Sequence, residues 1–355
     1  MPLRDVVGHN RLISLLKRSV GAGTVPPSLL FTGPSGVGKR LTAVGVAQAL
    51  NCLRLPTNDS RFPTDSRLAT LDSRPTAIDA FDACGVCAAC TRIARGVHPD
   101  VVVVEPGDTG TIKIDQVRDV VESTGFRPFE GRRRVVIIDE ADALVPPAQN
   151  ALLKTLEEPP PSSVFVLVTS RPDVLLPTVR SRCPQLRFRP LAADDIAAIL
   201  IARGQSDARA RAVAATAQGS VRQALAASAE ELFETRDLAA HVLAQASLQN
   251  EAARRIAGAQ DLLAKTGAGG AGDREQLASH LRAMASLLRD VEVLATGADE
   301  RALANPDVRP VLDRLAAAYR GGRGVRAFAS VDEALVALER NAGVKIVADW
   351  LVLQL

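Results

Sequence analysis

The stretch "SLLFTGPSGVGKR" (residues 28–40) constrains this chain more than any other. A short apolar run ends in a glycine-rich turn, and the turn leads through Lys39 into a helix-forming segment. Gly33, Gly36 and Gly38 permit a tight loop that aims backbone N–H groups at phosphate oxygens, with Pro34, Ser35 and Val37 filling the loop between them. Lys39 adds a point charge, and the helix that follows presents its positive N-terminus. The order strand, phosphate loop, helix implies an α/β domain and a nucleotide, ATP or ADP, as its ligand. One position departs from the pattern G-x-x-x-x-G-K-[ST]: Arg40 stands where a hydroxyl would reach Mg²⁺. Thr42 cannot replace that hydroxyl, because two steps along a helix rotate a side chain by about 200°. Binding of nucleotide is therefore expected, and efficient hydrolysis is not.

A second strand-end signal is "RVVIIDEAD". Its apolar run delivers Asp139 and Glu140 to the carboxyl end of a strand, where open α/β sheets place their ligands. Asp139 is expected to hold Mg²⁺, directly or through water, and Glu140 to orient the attacking water. Short apolar runs, enriched overall in β-branched residues and without alternation, fall at Leu29–Phe31, Val101–Val104, Val135–Ile138 and Val164–Val168, as suits buried parallel strands. Helical stretches lie between them, among them Ala148–Glu158, which Pro159-Pro160-Pro161 ends. The reading is a doubly wound α/β domain over residues 1–190, a parallel sheet flanked by helices. Residues 53–83, rich in Ser, Thr, Asp, Arg and Pro, read as a long surface insertion with the composition of a disordered segment. From about residue 191 strand-like runs vanish. A small helical unit is expected at 191–240 and longer helices at 241–355, broken at 265–275 and at 319–328. Ser330 and Glu333 suggest a capping box that opens the last helix.

Four of the five cysteines cluster: Cys84, Cys87 and Cys90 form C-x2-C-x2-C, with Cys52 upstream across the insertion. Four thiolates suit tetrahedral Zn²⁺. An iron–sulfur motif shares part of this spacing but continues with an x3-C-P that is missing here. His98 is a weaker candidate for the fourth ligand. A closed four-ligand site is structural, with no open position for chemistry.

Composition narrows the classes further. With 43 basic and 40 acidic residues the net charge is +3, which neither demands nor excludes nucleic acid. Aromatics are 3%, too few for a platform that stacks single-stranded bases. No apolar run nears the ~18 residues that span a bilayer, and "MPLRD" lacks the apolar core of a signal peptide. A cytoplasmic protein is expected, with its cysteines reduced or bound to metal.

Taken together and in order, "CGVCAACTRIARGVHPDV", "RRRVVIIDEADAL", "NALLKTLEEPP", "LPTVRSRCPQLRF" and "GSVRQAL" resemble the AAA+ subunits of the bacterial DNA polymerase III clamp loader. The resemblance runs from "VVGHNRLISLL" to "ALERNAGVKIVADWLVLQL". It implies an AAA+ phosphate-loop domain at 1–190, a helical lid at 191–240 and a helical collar that oligomerises at 241–355. The implied partners are gamma/tau and delta subunits in a hetero-oligomeric ring, the sliding clamp and primed DNA. Arg182 in "SRC" matches an arginine finger that acts on the neighbouring subunit's ATP. Thr169 matches a polar sensor at a strand end, and Arg222 in "GSVRQAL" a second sensor on the lid. Lys154, with Gln149 and Asn150, matches a helix that lines the DNA-facing interior, Lys154 reaching a phosphate.

Within the family, the gamma/tau motor kind carries an intact loop, and the delta-prime kind often has a degraded one. Arg40, "HPDVVVVEPGDTGTIKIDQVRDV", "RPFEGRRRVVIIDEAD" and the ending at Leu355 look more like delta-prime. The resemblance thus implies a stator that donates Arg182 and does little ATP chemistry, with a gamma/tau-like motor that tolerates Arg40 as the alternative. A zinc module binding nucleic acid directly is a third reading, against which the near-neutral charge and scarce aromatics speak.

Overall fold

In a computed structural model the chain forms two compact units, Met1–Leu191 and Ala192–Leu355. The structure describes residues 1–55, 81–107, 110–217, 219–226, 229–248, 252–263, 271–298, 303–339 and 342–355. Most of the expected insertion at 53–83 and part of the break expected at 265–275 lie outside the described residues. Among the described residues, no helix is long and apolar enough to cross a membrane.

The first unit is built on a parallel five-stranded sheet in the order β2-β3-β4-β1-β5. The strands are β1 (Ser28–Thr32), β2 (Val101–Val104), β3 (Arg134–Ile138), β4 (Ser163–Thr169) and β5 (Gln185–Arg187). Four of them coincide with the apolar runs read in the sequence. β1, β3 and β4 are buried along their whole length, as strands covered on both faces must be. Alternation sorts their side chains between two cores. Leu29, Phe31, Val135, Ile137, Val164, Val166 and Val168 face one side; Leu30, Val136, Ile138, Phe165 and Leu167 face the other. Each such fully buried side chain contributes about 1.5–3 kcal/mol by area removed from water.

The first face is covered by α1 (Asn10–Gly21), α2 (Lys39–Asn51) and α3 (Ala88–Ala94), the second by α4 (Ile114–Thr124) and α5 (Pro146–Glu157). Ala43, Gly45, Val46, Ala47 and Ala49 are buried along α2, so this small-residue helix packs closely on its neighbours. A Cβ on Gly45 would stand 2.9 Å from Leu3 Cδ2. α5 starts with Pro146 and Pro147, which need no backbone donor in the first turn, and stops before Pro159. A short helix, α6 (Pro177–Arg180), leads into β5.

The second unit is helical: α7 (Ala193–Ala202), α8 (Asp207–Thr216), α9 (Val221–Ala226), α10 (Ala229–Leu248), α11 (Ala252–Leu263), α12 (Ala271–Ala295), α13 (Arg309–Ala318), α14 (Arg323–Glu339) and α15 (Val344–Gln354). Its core holds Leu243, Leu277, Leu281, Leu288, Leu312, Val331 and Leu351, with Tyr319 buried among them and donating its hydroxyl to the Leu243 carbonyl at 2.9 Å.

Two sequence expectations are corrected here. The boundary drawn at 240/241 falls inside α10, whose residues Ala239, Val242, Leu243 and Ala246 share one buried face and one core. The capping box at Ser330 and Glu333 is absent because α14 has already begun at Arg323. Ser330 instead donates its hydroxyl to the Arg326 carbonyl at 3.1 Å, one turn back inside the helix. The break is confined to Tyr319–Gly322, where Gly321 and Gly322 take φ of 65° and 78°.

Candidate functional site

All the strands end at one edge of the parallel sheet, and the phosphate loop leaves that edge from β1, which pairs with β4 on one side and β5 on the other. Gly33, Gly36 and Gly38 take φ of 138°, 78° and 97°, conformations that side chains resist. Gly33 is needed for a second reason: a Cβ there would lie 2.3 Å from the Phe188 carbonyl oxygen. Lys39 is 7% exposed and donates its Nζ to the carbonyls of Gly33, at 2.6 Å, and Pro34. Thr42 is fully buried and donates to the Gly38 carbonyl at 2.9 Å, so it supplies no substitute hydroxyl at the loop. His9 Nε2 lies 3.0 Å from the Val37 carbonyl and its ring meets Phe188 edge-on at 4.8 Å, bracing the loop from behind.

Arg40 turns toward the acids. Its Nη1 stands 3.1 Å from Asp139 Oδ2 and also pairs with Glu105. Glu105 follows β2, Asp139 follows β3, and Asp139 N donates to the Val104 carbonyl at 2.9 Å, which fixes the two acids side by side. Glu140 takes φ of 50°, a left-handed conformation uncommon outside glycine, and donates its N–H to Asp139 Oδ1 at 3.1 Å. The loop glycines and Lys39 fit a phosphate chain. Mg²⁺ held in the usual way does not fit: its hydroxyl ligand is gone and its acid is taken by a guanidinium. Thr169, 1% exposed at the end of β4, donates its hydroxyl to Asp142 at 2.7 Å, and Arg171 closes the same cluster through Asp142 at 2.9 Å.

Arg182 lies just before β5. Its Nη1 donates to the Thr178 carbonyl at 2.8 Å, its Nη2 pairs with Glu157 at the end of α5, and a third of the side chain is exposed. Asn150 and Lys154 stand exposed one turn apart on α5. Gln149 does not join them. It is 2% exposed, donates to the Leu144 carbonyl at 3.1 Å and accepts from Leu176 N at 2.7 Å, tying together the segments at either side of the helix. Its expected place among the DNA-facing residues is corrected by that burial. Arg222 is exposed on α9 of the second unit.

The sulfurs of Cys52, Cys84, Cys87 and Cys90 all lie within 4.8 Å of one another. A tetrahedral thiolate site with bonds of about 2.3 Å needs sulfurs about 3.8 Å apart, so the four fit Zn²⁺ after slight contraction. The backbone N–H of Cys84 donates to Cys52 Sγ and that of Cys87 to Cys84 Sγ, each at 3.3 Å, a donor set that favours the thiolate form. Cys52 is drawn down to about 5, chiefly because the Cys90 thiol donates to it, while burial works against the shift. The Cys90 thiol is raised by the same shared proton and then by burial. Cys52 caps the C-terminus of α2, whose N-terminus is the phosphate loop. The N-terminal segment is tied to the same module: Leu3 N and Arg4 N donate to buried Asp82 at 2.9 and 2.7 Å, and Arg4 Nη1 to the Ala83 carbonyl at 2.7 Å.

His98 is not in the sulfur cluster. It is 3% exposed, its Nδ1 accepts from Asp100 N at 3.1 Å and its Nε2 faces Glu130 Oε1 at 3.4 Å. Burial holds its basicity below the usual value, against the pull of Glu130 and Asp100. The sequence reading missed Glu105, Asp142 and Glu157, the acids that hold Arg40, Thr169 and Arg182. Glu105 carried a signal, an acid at the end of a β-branched run, as Asp139 does. Glu157 pairs across 25 residues and carried none.

A profile of the family described as "DNA polymerase III, delta subunit" matches residues 66–192. The DNA polymerase III subunit gamma/tau of Mycobacterium bovis is 32% identical over 196 residues, 55% of this chain and 30% of that protein. The DNA polymerase III subunit delta' of Pseudomonas aeruginosa is 40% identical over 157 residues, 44% of this chain and 41% of that protein. The chain thus matches less than half the length of either relative. A solved gamma subunit-related protein from Thermotoga maritima is 18% identical, with a TM-score of 0.43 and 97% of both chains covered. In sequence, this chain is similar over about half its length to gamma/tau and delta-prime subunits of DNA polymerase III.

Proposed function

We propose that the chain is the delta-prime kind of subunit of the DNA polymerase III clamp loader, a cytoplasmic replication protein that acts as a stator. It takes a place beside gamma/tau and delta subunits, donates Arg182 to the ATP of a neighbour, and helps place the sliding clamp on primed DNA. The observation that carries this reading is the pair between Arg40 and Asp139: the acid that would hold Mg²⁺ is engaged by a guanidinium, so turnover at this loop is not supported. Arg182 stands partly exposed at the surface, where it can serve a site outside its own chain. Lys154 and Asn150 offer polar contacts to DNA phosphates. The cysteine cluster holds Zn²⁺ as a structural ion, and Thr169 and Arg222 act as the sensors of the nucleotide at the loop.

The second reading, a gamma/tau-like motor, is favoured by the retention of Asp139 and Glu140 and by the longer match to gamma/tau. DNA-stimulated ATP hydrolysis by a reconstituted loader separates the two. A stator loses loader turnover on Arg182→Ala and is indifferent to Glu140→Gln in this chain. A motor shows the reverse.

A further inference from the structure

An intact phosphate loop shares a divalent cation between its Ser/Thr hydroxyl and the strand-end acid. Here the hydroxyl is absent, and both acids at the strand ends, Asp139 and Glu105, are paired with Arg40. We propose that Arg40 is a resident cation that replaces the metal, so that the loop takes a nucleoside di- or triphosphate without any divalent ion. This rests on the reading of residues 33–40 as a phosphate cradle.

Arg40 is the second residue of α2, where a positive side chain opposes the helix dipole. Asp139 and Glu105 offset that opposition, and a bound polyphosphate would offset it further. Both of the guanidinium's acid contacts run through Nη1. Its other N–H groups, on Nη2 and Nε, are chemically matched to phosphate oxygens. A guanidinium binds phosphate through paired donors and is more weakly hydrated than an ammonium, so it gives up water readily there. Lys39, a second positive charge on the adjacent residue, is held at the loop by the Gly33 carbonyl. A dication entering beside Asp139 would meet the guanidinium and find its ligand acid already neutralised. The same substitution removes the ion that neutralises charge in phosphoryl transfer, so the site retains nucleotide without turning it over.

The test is binding of ADP and ATP to the full chain by titration calorimetry, in Mg²⁺ and in EDTA. The expected result is a dissociation constant that changes by less than about threefold between the two conditions for the wild type. Arg40→Thr, which restores the hydroxyl, should bind at least about tenfold more tightly in Mg²⁺ than in EDTA. A wild type that binds only with Mg²⁺, or binds under neither condition, overturns the proposal. So does an Arg40→Thr form as indifferent to metal as the wild type, since the metal independence would then lie elsewhere. Lys39→Ala separates this failure from that of the cradle itself: nucleotide binding that survives the loss of Lys39 means the loop is not the site at all.

Discussion

Arg182 is held by Glu157 of its own chain, with its other terminal nitrogen donating to the Thr178 carbonyl at 2.8 Å. A finger that acts on a neighbouring subunit must leave that acid. With the side chains 33% and 48% exposed, the pair contributes at most about 1 kcal/mol, so release costs little. Glu157→Gln should therefore change stability by less than about 1 kcal/mol and should not lower the ATPase rate of an assembled loader. Arg182→Ala should lower hydrolysis at the site it completes by about 10³-fold or more. Single-turnover hydrolysis by the reconstituted loader reads both. A fall in rate with Glu157→Gln as large as with Arg182→Ala would mean that the intrachain pair is itself the working arrangement.

The cysteine cluster should hold one Zn²⁺ per chain, measurable by atomic absorption on the purified protein. Cys52→Ser and Cys90→Ser remove ligands at the end of α2 and inside α3, both fully buried. Each should abolish stoichiometric metal and destabilise the first unit by about 4 kcal/mol, the range in which loss of a structural metal falls. Thermal unfolding with and without a chelator gives the same quantity independently. Unchanged metal content in Cys52→Ser would remove the upstream cysteine from the ligand set.

Acid should weaken the first unit in two steps, both at the turn formed by residues 129–131. Asp100 is buried, which by itself would raise its pKa. Its bonds from the N–H groups of Glu130, Gly131 and Phe129, at 2.9, 2.7 and 2.7 Å, and from Arg134 at 3.1 Å, prevail and hold it below the ordinary 3.8. A depressed carboxylate contributes stability above its unfolded pKa and loses it as pH falls through the folded value, so this step lies below about pH 4. His98 is depressed from 6.5 by burial, and its neutral Nδ1 accepts the Asp100 N–H. Protonation there forfeits that bond, so stability present above pH 6.5 declines as pH falls below it. His98→Gln should flatten the first step of a stability-against-pH curve from denaturant unfolding and leave the second. Asp100→Ala, which strands several buried donors and Arg134, should cost about 3–5 kcal/mol at neutral pH. A wild-type curve flat from pH 7 to 5 would rule out the His98 step.

Particular residues show what the chain reveals before it folds. β1 to β4 announce themselves because the strands of a sheet covered on both faces read as continuous apolar runs. β5 does not: Gln185–Arg187 is short, mostly exposed and polar, and becomes a strand only because Leu30, Phe31 and Thr32 of β1 offer it a register. Gln149 was misplaced although its burial carried a local signal. It sits three residues before Leu152 and seven before Leu156, on the same inward stripe of α5. The phosphate loop and the cysteine quartet were evident as spacings, since their chemistry demands it. The pairings of Arg40 and of Arg182 were not, because such ion pairs join elements far apart in the chain. At Ser330 a local capping pattern lost to the packing of Ala327, Val331 and Ala334 in the core of the second unit, which extends α14 through it.

Gly33→Ala tests how closely the phosphate loop depends on its own backbone. The residue has φ of 138°, and a methyl group would sit 2.3 Å from the carbonyl oxygen of Phe188. That oxygen cannot swing away as a side chain would, because the Phe188 backbone is bonded through its N–H to the Thr32 carbonyl at 2.7 Å. Either the loop or the segment after β5 must shift, at a cost of about 2–4 kcal/mol from strain and steric overlap together. Two readouts are expected to move in concert: the midpoint of denaturant unfolding falls, and nucleotide affinity drops as the loop N–H groups leave their aim. Gly23 is the control, with a similarly positive φ of 66° but nothing within 4 Å of the added methyl. Gly23→Ala should cost only about 1 kcal/mol and leave nucleotide binding unchanged. Equal losses at the two positions would mean that φ alone, and not contact with Phe188, makes Gly33 necessary.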